Sequence, residues 1–258
     1  MAAPKRQARL IGWIAPAILV GLWQLSIVTG LIRFRYFPTP VAVARALHTL
    51  ALSGELYKNT AHTVFVTLIA WVIASVLGIA VGLVVGLSVP LWKWVMASID
   101  VLRSLPIIAL VPVGVIIFGF TLKLEIVIAA YAAMWPTVVN TISGVRQTRA
   151  ELLDVGKMLR LSTSERLRKL IFPSSLPLIM VGLRLGLGLS LVLTVVSEIV
   201  GTPKGIGNAL ISAEQALHPG QMFAYILVVG LVGYLLNGMF LYLTHFFSPE
   251  ERSRGIAK

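Results

Sequence analysis

Two ionisable residues, Arg184 and Glu198, lie within one long apolar segment, where a charged group is costly and therefore suggests a function. They are 14 positions apart, which is about 21 Å along a helix and too far for a direct ion pair. Arg184 could attract an anionic solute into a translocation path, or it could tether neighbouring helices through their carbonyls. Glu198 could gate the outer mouth of that path or cap a helix at the interface. We favour the tether and the interfacial role, and keep both residues as path candidates.

The other polar residues of the apolar segments form no catalytic arrangement. No nucleophile, base and carboxylate converge in the sequence, the four histidines show no ligand-like spacing, and cysteine is absent. We therefore expect no enzyme, no metal site and no cofactor bound by this chain. The internal polar residues Asn140, Thr194 and Ser197 suit the lining of a passage better than a reaction centre.

Composition identifies the kind of structure that positions these residues. Of the 258 residues, 57% are hydrophobic and 12% are charged, and the apolar residues come in runs long enough to cross a bilayer as helices. We predict an all-α polytopic membrane protein, with a tail and first span in residues 1–36 and a five-span core in residues 37–258. The six predicted spans are residues 10–31, 62–88, 104–120, 124–145, 176–200 and 222–247.

The positions of the basic residues predict the orientation. With a cytoplasmic amino terminus, fifteen of the 22 lysines and arginines fall on the inner side and six on the outer side, as the positive-inside rule requires. Both termini and the loop 146–173 should therefore face the cytoplasm of a bacterial cell. A net charge of +12 also occurs in nucleic-acid-binding proteins, but the inner-side bias accounts for it, so we expect no nucleic-acid partner.

A polar, basic interruption between two apolar segments, residues 146–169, has the pattern of a helix-turn-helix. Leu152, Val155, Gly156 and Leu159 share one face of a first helix. The S-x-x-E sequence from Ser162 predicts a capping box at the start of a second helix, which Pro173 should end. A short helix with such a face is suited to docking in a groove of a partner protein.

Small residues and amphipathic patterns predict how the remaining helices are arranged. Residues 70, 74, 78, 82 and 86 of the second span are all alanine or glycine, which allows close helix packing in lipid. We interpret the glycines at 182 and 186 in the same way. Short helices on the outer side are predicted at residues 41–51 and 208–217.

The loop also resembles a known motif. Permease subunits of binding-protein-dependent ABC importers carry the pattern EAA-x3-G-x9-I-x-LP in a cytoplasmic loop, and this chain is similar to it at residues 154–156, Arg160, Leu170, Phe172 and Pro173. The spacing is kept, although only the proline is identical. Arginine tolerates positive φ poorly, so its presence at position 160 argues against a left-handed turn there.

Further segments resemble the nitrate, sulfonate and taurine permeases of that class, and together the similar segments lie between residues 37 and 247. The resemblance implies a type I ABC importer permease fold, a second permease copy in a homodimer, two cytoplasmic ATPase subunits that bind ATP and Mg²⁺, and an extracytoplasmic solute-binding protein. It also implies that the region 151–162 is the coupling helix that docks on the ATPase. The docking candidates are Glu151, Leu152, Asp154, Val155, Gly156, Leu159, Arg160, Leu161 and Ser162.

The sequence therefore predicts the permease subunit of an ABC transporter that imports a small anionic solute such as nitrate, a sulfonate or taurine. Bicarbonate, an aromatic carboxylate or a vitamin precursor remain alternative solutes. An ion-gradient-driven secondary transporter is the alternative mechanism, although we find no internal repeat of the kind such proteins often show. A membrane scaffold or assembly factor is a third possibility.

Overall fold

The computed structural model describes residues 5–31, 34 and 36–247, and this part of the chain consists of helices joined by short connections, without a strand. The predicted all-α class is confirmed. A π-helical segment, Leu167–Ile171, links two of the helices. The α-helices are α1 (Lys5–Val28), α2 (Pro40–Leu52), α3 (Glu55–Leu87), α4 (Val89–Ser104), α5 (Ile107–Phe118), α6 (Leu122–Arg146), α7 (Ala150–Met158), α8 (Thr163–Arg166), α9 (Phe172–Val200), α10 (Ile206–Gln215) and α11 (Pro219–Phe247).

Within the described part of the chain, four helical stretches are long and apolar enough to cross a membrane, and the pair α4 and α5 makes a fifth if it counts as one broken span. The four are α3, α6, α11 and a continuous helix over residues 163–200. Helix α1 covers most of the first predicted span, residues 10–31. The predicted second, fourth, fifth and sixth spans are therefore confirmed as helices, each of which begins before the predicted boundary.

The third predicted span, residues 104–120, is present as the shorter helix α5, which begins only after Pro106. The residues before it form α4, and the two helices meet at an angle of 83°. Leu105 lies between them in an extended conformation with ψ 131°, because the ring of Pro106 disfavours helical geometry in the residue before it. Pro112 lies inside α5 and does not end it.

The prediction that Pro173 ends the second loop helix is also wrong. Pro173 lies in a continuous helix that runs from Thr163 to Val200. The π-helical turn ahead of it explains this difference, since the amide of Phe172 bonds to the carbonyl of Leu167, five residues back. This wider turn leaves room for the proline ring and tolerates the hydrogen bond that proline, which has no backbone N–H, cannot donate. At 38 residues the helix is about 57 Å long, and it extends well beyond a hydrocarbon layer of about 30 Å.

Helices α3, α6 and α9 pack against one another and form the centre of the molecule. A stripe of small residues on α3 is buried, as predicted. A Cβ atom added at three of its glycines would lie only 2.5 to 2.9 Å from a Cβ atom of α6, so the two helices approach closely along their length. The facing pairs are Gly78 with Thr137, Gly82 with Thr141 and Gly86 with Val145.

The glycines of α9 pack in the same way against a neighbouring face of α6. A Cβ atom at Gly182 would lie 2.9 Å from the carbonyl oxygen of Pro136, and one at Gly186 would lie 2.8 Å from that of Ala133. Gly188, by contrast, has no atom within 4 Å of its Cβ position. The predicted packing role of Gly182 and Gly186 is confirmed.

The two short helices predicted on the outer side are present as α2 and α10. The hydroxyl of Thr39 caps α2 by accepting a hydrogen bond from the amide of Ala42. Buried residues of both helices pack with α9 and α11 in one hydrophobic cluster, which includes Val43 and Ile206. This cluster holds the connection between α9 and α10 beside the ends of α3 and α6.

Candidate functional site

The first candidate site is the loop 146–173, which we call the coupling loop after the role that the resemblance implies, and its central element is helix α7. The carboxylate of Glu151 lies in the first turn of α7 and Lys157 in the last, which suits the helix dipole at both ends. Asp154 and Lys157 form an exposed ion pair of 2.8 Å. Such a pair contributes little to stability, so it leaves the Asp154 carboxylate accessible to a partner.

Helix α7 ends in a Schellman motif. The amide of Leu161 donates to the carbonyl of Gly156 (3.0 Å) and that of Arg160 to the carbonyl of Lys157 (2.9 Å). Arg160 has a φ of 50°, in the left-handed region. Arginine at this position therefore adopts the left-handed conformation that its residue type disfavours. The two terminal hydrogen bonds outweigh a conformational cost of about 1–2 kcal/mol.

Gly156 fixes α7 against the helix that follows. It is the buried residue of α7, and a Cβ atom there would lie 2.8 Å from Cδ1 of Leu170 and 3.2 Å from Cγ of Arg166. The small residue lets α7 lie directly on the α8 end of the long helix. Helix α7 therefore rests on the same continuous helix, residues 163–200, that is long and apolar enough to cross a membrane.

Helix α7 also carries apolar residues that the rest of the described chain leaves exposed. Val155, Met158 and Leu159 are 44%, 82% and 65% exposed, and their i, i+3, i+4 spacing places them side by side. We call these three residues the exposed face of α7. Leu152, Leu153 and Leu161 are half-buried. The predicted apolar face is thus divided, with Gly156 turned inward and Val155 and Leu159 turned outward.

The capping box predicted at Ser162 is confirmed. The amide of Ser162 donates to Oε2 of Glu165 (3.0 Å), and the amide of Glu165 donates to Oγ of Ser162 (3.3 Å). Lys169 adds an ion pair to the same glutamate at 2.9 Å. These bonds fix the turn between α7 and α8 and so set the angle at which α7 projects.

A second group of polar side chains lies at the far end of the central helices. The group consists of His62 of α3, Glu125 in the first turn of α6 and Glu198 in the last turn of α9. Each residue has one nitrogen or oxygen atom able to bind a metal, and these atoms lie within 4.8 Å of one another. Nε2 of His62 is 2.9 Å from Oε2 of Glu125. Glu198 accepts hydrogen bonds from the hydroxyl of Thr63 (2.7 Å) and the amide of Gly207 (2.8 Å). We call His62, Glu125 and Glu198 the outer cluster.

A protein-family model matches most of this chain. The family is described as binding-protein-dependent transport system inner membrane component, and the match covers residues 74–252. The chain belongs to this family. It is therefore a permease subunit, and the resemblance found in the sequence is confirmed.

Relatives of this permease are similar along most of their length. SsuC of Escherichia coli (strain K12), whose name assigns it to aliphatic sulfonate transport, is 34% identical over 92% of this chain and 91% of its own. SsuC of Bacillus subtilis (strain 168) is 30% identical over 90% and 84%. The nitrate import permease NrtB of Synechocystis is 28% identical over 93% and 89%.

Solved structures confirm the fold of the permease. The MetNI methionine ABC transporter in an inward-facing conformation contains a chain that matches with a TM-score of 0.66 over 77% of this chain and 98% of its own, at 16% identity. An amino acid ABC transporter matches with a TM-score of 0.61 over 78% and 96%, at 15% identity. The predicted type I importer permease fold is shown by this likeness.

The five residues predicted to line the path do not come together in the permease. Thr194, Ser197 and Glu198 are fully buried inside the chain. Arg184 is exposed, and its Nε donates a hydrogen bond of 2.8 Å to Oδ1 of Asn237, which links α9 to α11. Asn140 lines an open groove together with Arg103 and Trp135. The role of these residues on a path stays a prediction.

The permease also contains functional candidates that sequence reasoning missed. Met158 is the most exposed apolar residue of α7, and its i+3 spacing from Val155 was the available signal. The outer cluster gave no such signal, because His62 and Glu125 are 63 residues apart in the chain. Their meeting depends on how α3 packs against α6.

Replacing Arg160 by glycine should stabilise the permease. Glycine adopts a left-handed φ without the cost that a side chain carries, so we expect Arg160→Gly to gain about 1 kcal/mol. The apparent Tm of the purified protein, measured by intrinsic fluorescence, should rise. The matched control is Leu217→Gly, since Leu217 has a φ of 55° at the end of α10, where the amides of Leu217 and His218 make the equivalent pair of bonds. A lower Tm in Arg160→Gly alone would show that the arginine side chain has a stabilising contact.

Proposed function

We propose that this permease imports a small anionic solute across the bacterial inner membrane, driven by a separate ATPase that docks on α7. The observation that carries the proposal is the exposed face of α7, an apolar surface on a helix that Gly156 and the Schellman motif hold in place. An exposed apolar group on a short helix is the form that a helix-in-groove contact takes. The ATP and Mg²⁺ would be bound by the partner subunits.

The docking is proposed to involve the whole coupling region, residues 151–162. Val155, Met158 and Leu159 would supply the apolar contact, and the accessible carboxylates of Glu151 and Asp154 would supply polar contacts at its edge. Closure of an ATPase dimer would then move two such helices toward each other. The continuous helix 163–200 is the element that would carry this movement into the membrane.

An anionic solute is proposed from the relatives and from one groove. The relatives are named for sulfonates and nitrate, and a further one, CmpB of Synechococcus elongatus, is named for bicarbonate transport and is 34% identical over 53% of this chain. The groove has a volume of about 580 Å³, and its lining includes Arg103, Asn140 and Ser104. Asp100 holds Arg103 in an ion pair of 2.9 Å, which an anion would have to share.

The assembly that this function needs is a homodimer of permeases with two ATPase subunits and an external solute-binding protein. In support, the groove at Asn140 is open along one side of the single chain, as a half-passage completed by a second copy would be. Both termini and the coupling loop are proposed to be cytoplasmic, as the distribution of basic residues indicates.

Reconstitution tests the proposal. The permease with its ATPase and solute-binding proteins would be placed in liposomes, and uptake of taurine, ethanesulfonate, nitrate and bicarbonate would be compared with that of the cation choline. We expect uptake of at least one of these anions only when ATP is present on the side of the ATPase. Uptake driven by a proton or sodium gradient without ATP would instead support a secondary transporter.

A further inference from the structure

The outer cluster is almost completely enclosed. Glu198 is 0% exposed and Glu125 is 1% exposed, while the side chain of His62 is 19% exposed. The cluster joins the three central helices, because each helix contributes one residue to it. All three residues lie at the end of the molecule opposite the coupling loop, which is the predicted outer side.

The hydrogen bonds of Glu198 suit an ionised carboxylate. The amide of Gly207 donates to it at 2.8 Å, and the hydroxyl of Thr63 lies 2.7 Å from its Oε1. The hydroxyl oxygen of Thr63 accepts from the amide of Ile206 (2.9 Å), and its proton can go to Glu198 or to the carbonyl oxygen of Asn59 at 3.2 Å. Two buried carboxylates beside one imidazole carry more negative charge than the imidazole can balance, and such charge is costly without a cation.

The connection between α9 and α10 closes tightly around Glu198. A Cβ atom added at Gly205 would overlap the carboxylate of Glu198, and one at Gly207 would lie 2.8 Å from Cβ of Glu198. Gly205 also has a φ of 94°, which a side chain rarely adopts. The backbone here is therefore shaped to enclose a carboxylate, which is more than a helix cap requires.

A further polar side chain, Thr202, lines a cavity beside the outer cluster. This cavity of about 270 Å³ is lined by His62, Glu125, Thr121, Thr202 and Lys204. Thr202 is 1% exposed, and its hydroxyl oxygen has no hydrogen-bond partner among the described residues. Lys204, which is exposed, lines the same cavity, so its ammonium can compete with an ion for the Glu125 carboxylate. An unpartnered buried hydroxyl in a cavity that His62 and Glu125 also line points to a bound species there.

We propose that His62, Glu125 and Glu198 form a binding site for one zinc ion. An imidazole nitrogen and two carboxylate oxygens form a ligand set that zinc accepts, and a divalent charge balances the two carboxylates. Three protein ligands leave a fourth position for a water molecule, which the hydroxyl of Thr202 could bond. The ion would link the ends of α3, α6 and α9 and hold the outer side of the permease closed. The proposal rests on packing at this end alone and is independent of the transported solute.

Zinc content tests the site directly. The full-length permease would be purified with its ATPase subunits, washed with EDTA without nucleotide, loaded with ZnCl₂ and desalted, and zinc would be measured by mass spectrometry. We expect Glu125→Gln and Glu198→Gln each to hold one zinc ion less per permease chain than the wild type. Both variants keep the shape of the side chain and its capacity to accept a hydrogen bond. The exposed histidine His48 provides the matched control, and His48→Ala should keep the full zinc content.

Titration of the same samples gives a second result that needs no variant. Zinc should raise the apparent Tm of the wild type, as any ligand of the folded state does, and millimolar Mg²⁺ should not replace it because of the imidazole ligand. Loss of a residue that only hydrogen-bonds to a metal ligand typically lowers metal affinity about 10–100-fold. In the glutamine variants, which lose a ligand itself, we expect the affinity for zinc to fall further than that. Equal zinc content in the wild type and Glu125→Gln, or a wild-type Tm unchanged by zinc, would overturn the proposal and leave protons as the balancing charge.

Discussion

Replacing Val155 by proline should abolish solute-stimulated ATP hydrolysis while the permease remains folded in the membrane. Val155 lies in the middle of α7, where proline removes a backbone hydrogen bond and disrupts the helix at a cost of about 3 kcal/mol or more. The exposed face of α7 would then lose its shape. ATP hydrolysis by the reconstituted complex, with and without the loaded binding protein, measures this effect.

The matched control for Val155→Pro is Ala150→Pro. Ala150 is the first residue of α7, where proline is tolerated, and the preceding Arg149 already has a ψ of 136° that suits a residue before proline. We expect Ala150→Pro to keep at least most of the stimulation. Asp154→Lys should also lose stimulation, since it reverses an exposed charge without breaking the helix. Normal coupling in Val155→Pro would contradict the docking role.

Replacing Gly82 by leucine should prevent the permease from folding. A Cβ atom at Gly82 would lie 2.5 Å from Cβ of Thr141 and 3.0 Å from the carbonyl oxygen of Val138. Neither atom can move without a shift of the α6 backbone. Overpacking typically lowers the free energy of unfolding by about 1–3 kcal/mol, and we expect a whole leucine side chain here to lower it by more. Size-exclusion chromatography in detergent should show loss of the monodisperse peak.

Gly230→Leu is the control for that substitution. Gly230 lies in α11, is exposed and has no atom within 4 Å of its Cβ position, so the leucine would extend away from the chain. We expect this variant to elute like the wild type. If both leucine variants behaved alike, the close contact of α3 with α6 would not be what holds the centre of the fold together.

Local patterns in the sequence predicted much of this architecture. Glycine or alanine at every fourth position of the second span indicated the stripe that α6 covers, because such spacing repeats on one side of a helix. The capping box at Ser162 was predicted from two residues three positions apart. These features depend on neighbours in the chain, so a single sequence contains the information needed to infer them.

The features that were predicted wrongly depend on how a local preference meets its surroundings. Pro173 should end a helix, but a π-helical turn accommodates it. Arg160 should avoid positive φ, but two hydrogen bonds at the end of α7 hold it there. In both cases the unfavourable local preference is smaller than the stabilisation gained by the continuous structure.

Long-range contacts could not be predicted from the sequence at all. Thr63 and Glu198 are 135 residues apart and meet only because α3 and α9 pack together. The same holds for Arg184, whose partner Asn237 lies on another helix. Only the prediction that an ionisable residue within an apolar segment has a specific role pointed to Arg184 and Glu198, and it named neither partner.

The central claim is that α7 lies in the cytoplasm and that an ATPase subunit binds its exposed face, and this claim is tested most directly at Met158. The chain contains no cysteine, so Met158→Cys introduces a single thiol at the most exposed position of the exposed face. We expect a membrane-impermeant maleimide to label it in inside-out vesicles stripped of the ATPase, and the ATPase to block that labelling when it is added back. Labelling in right-side-out vesicles, or labelling that the ATPase does not affect, would contradict the account.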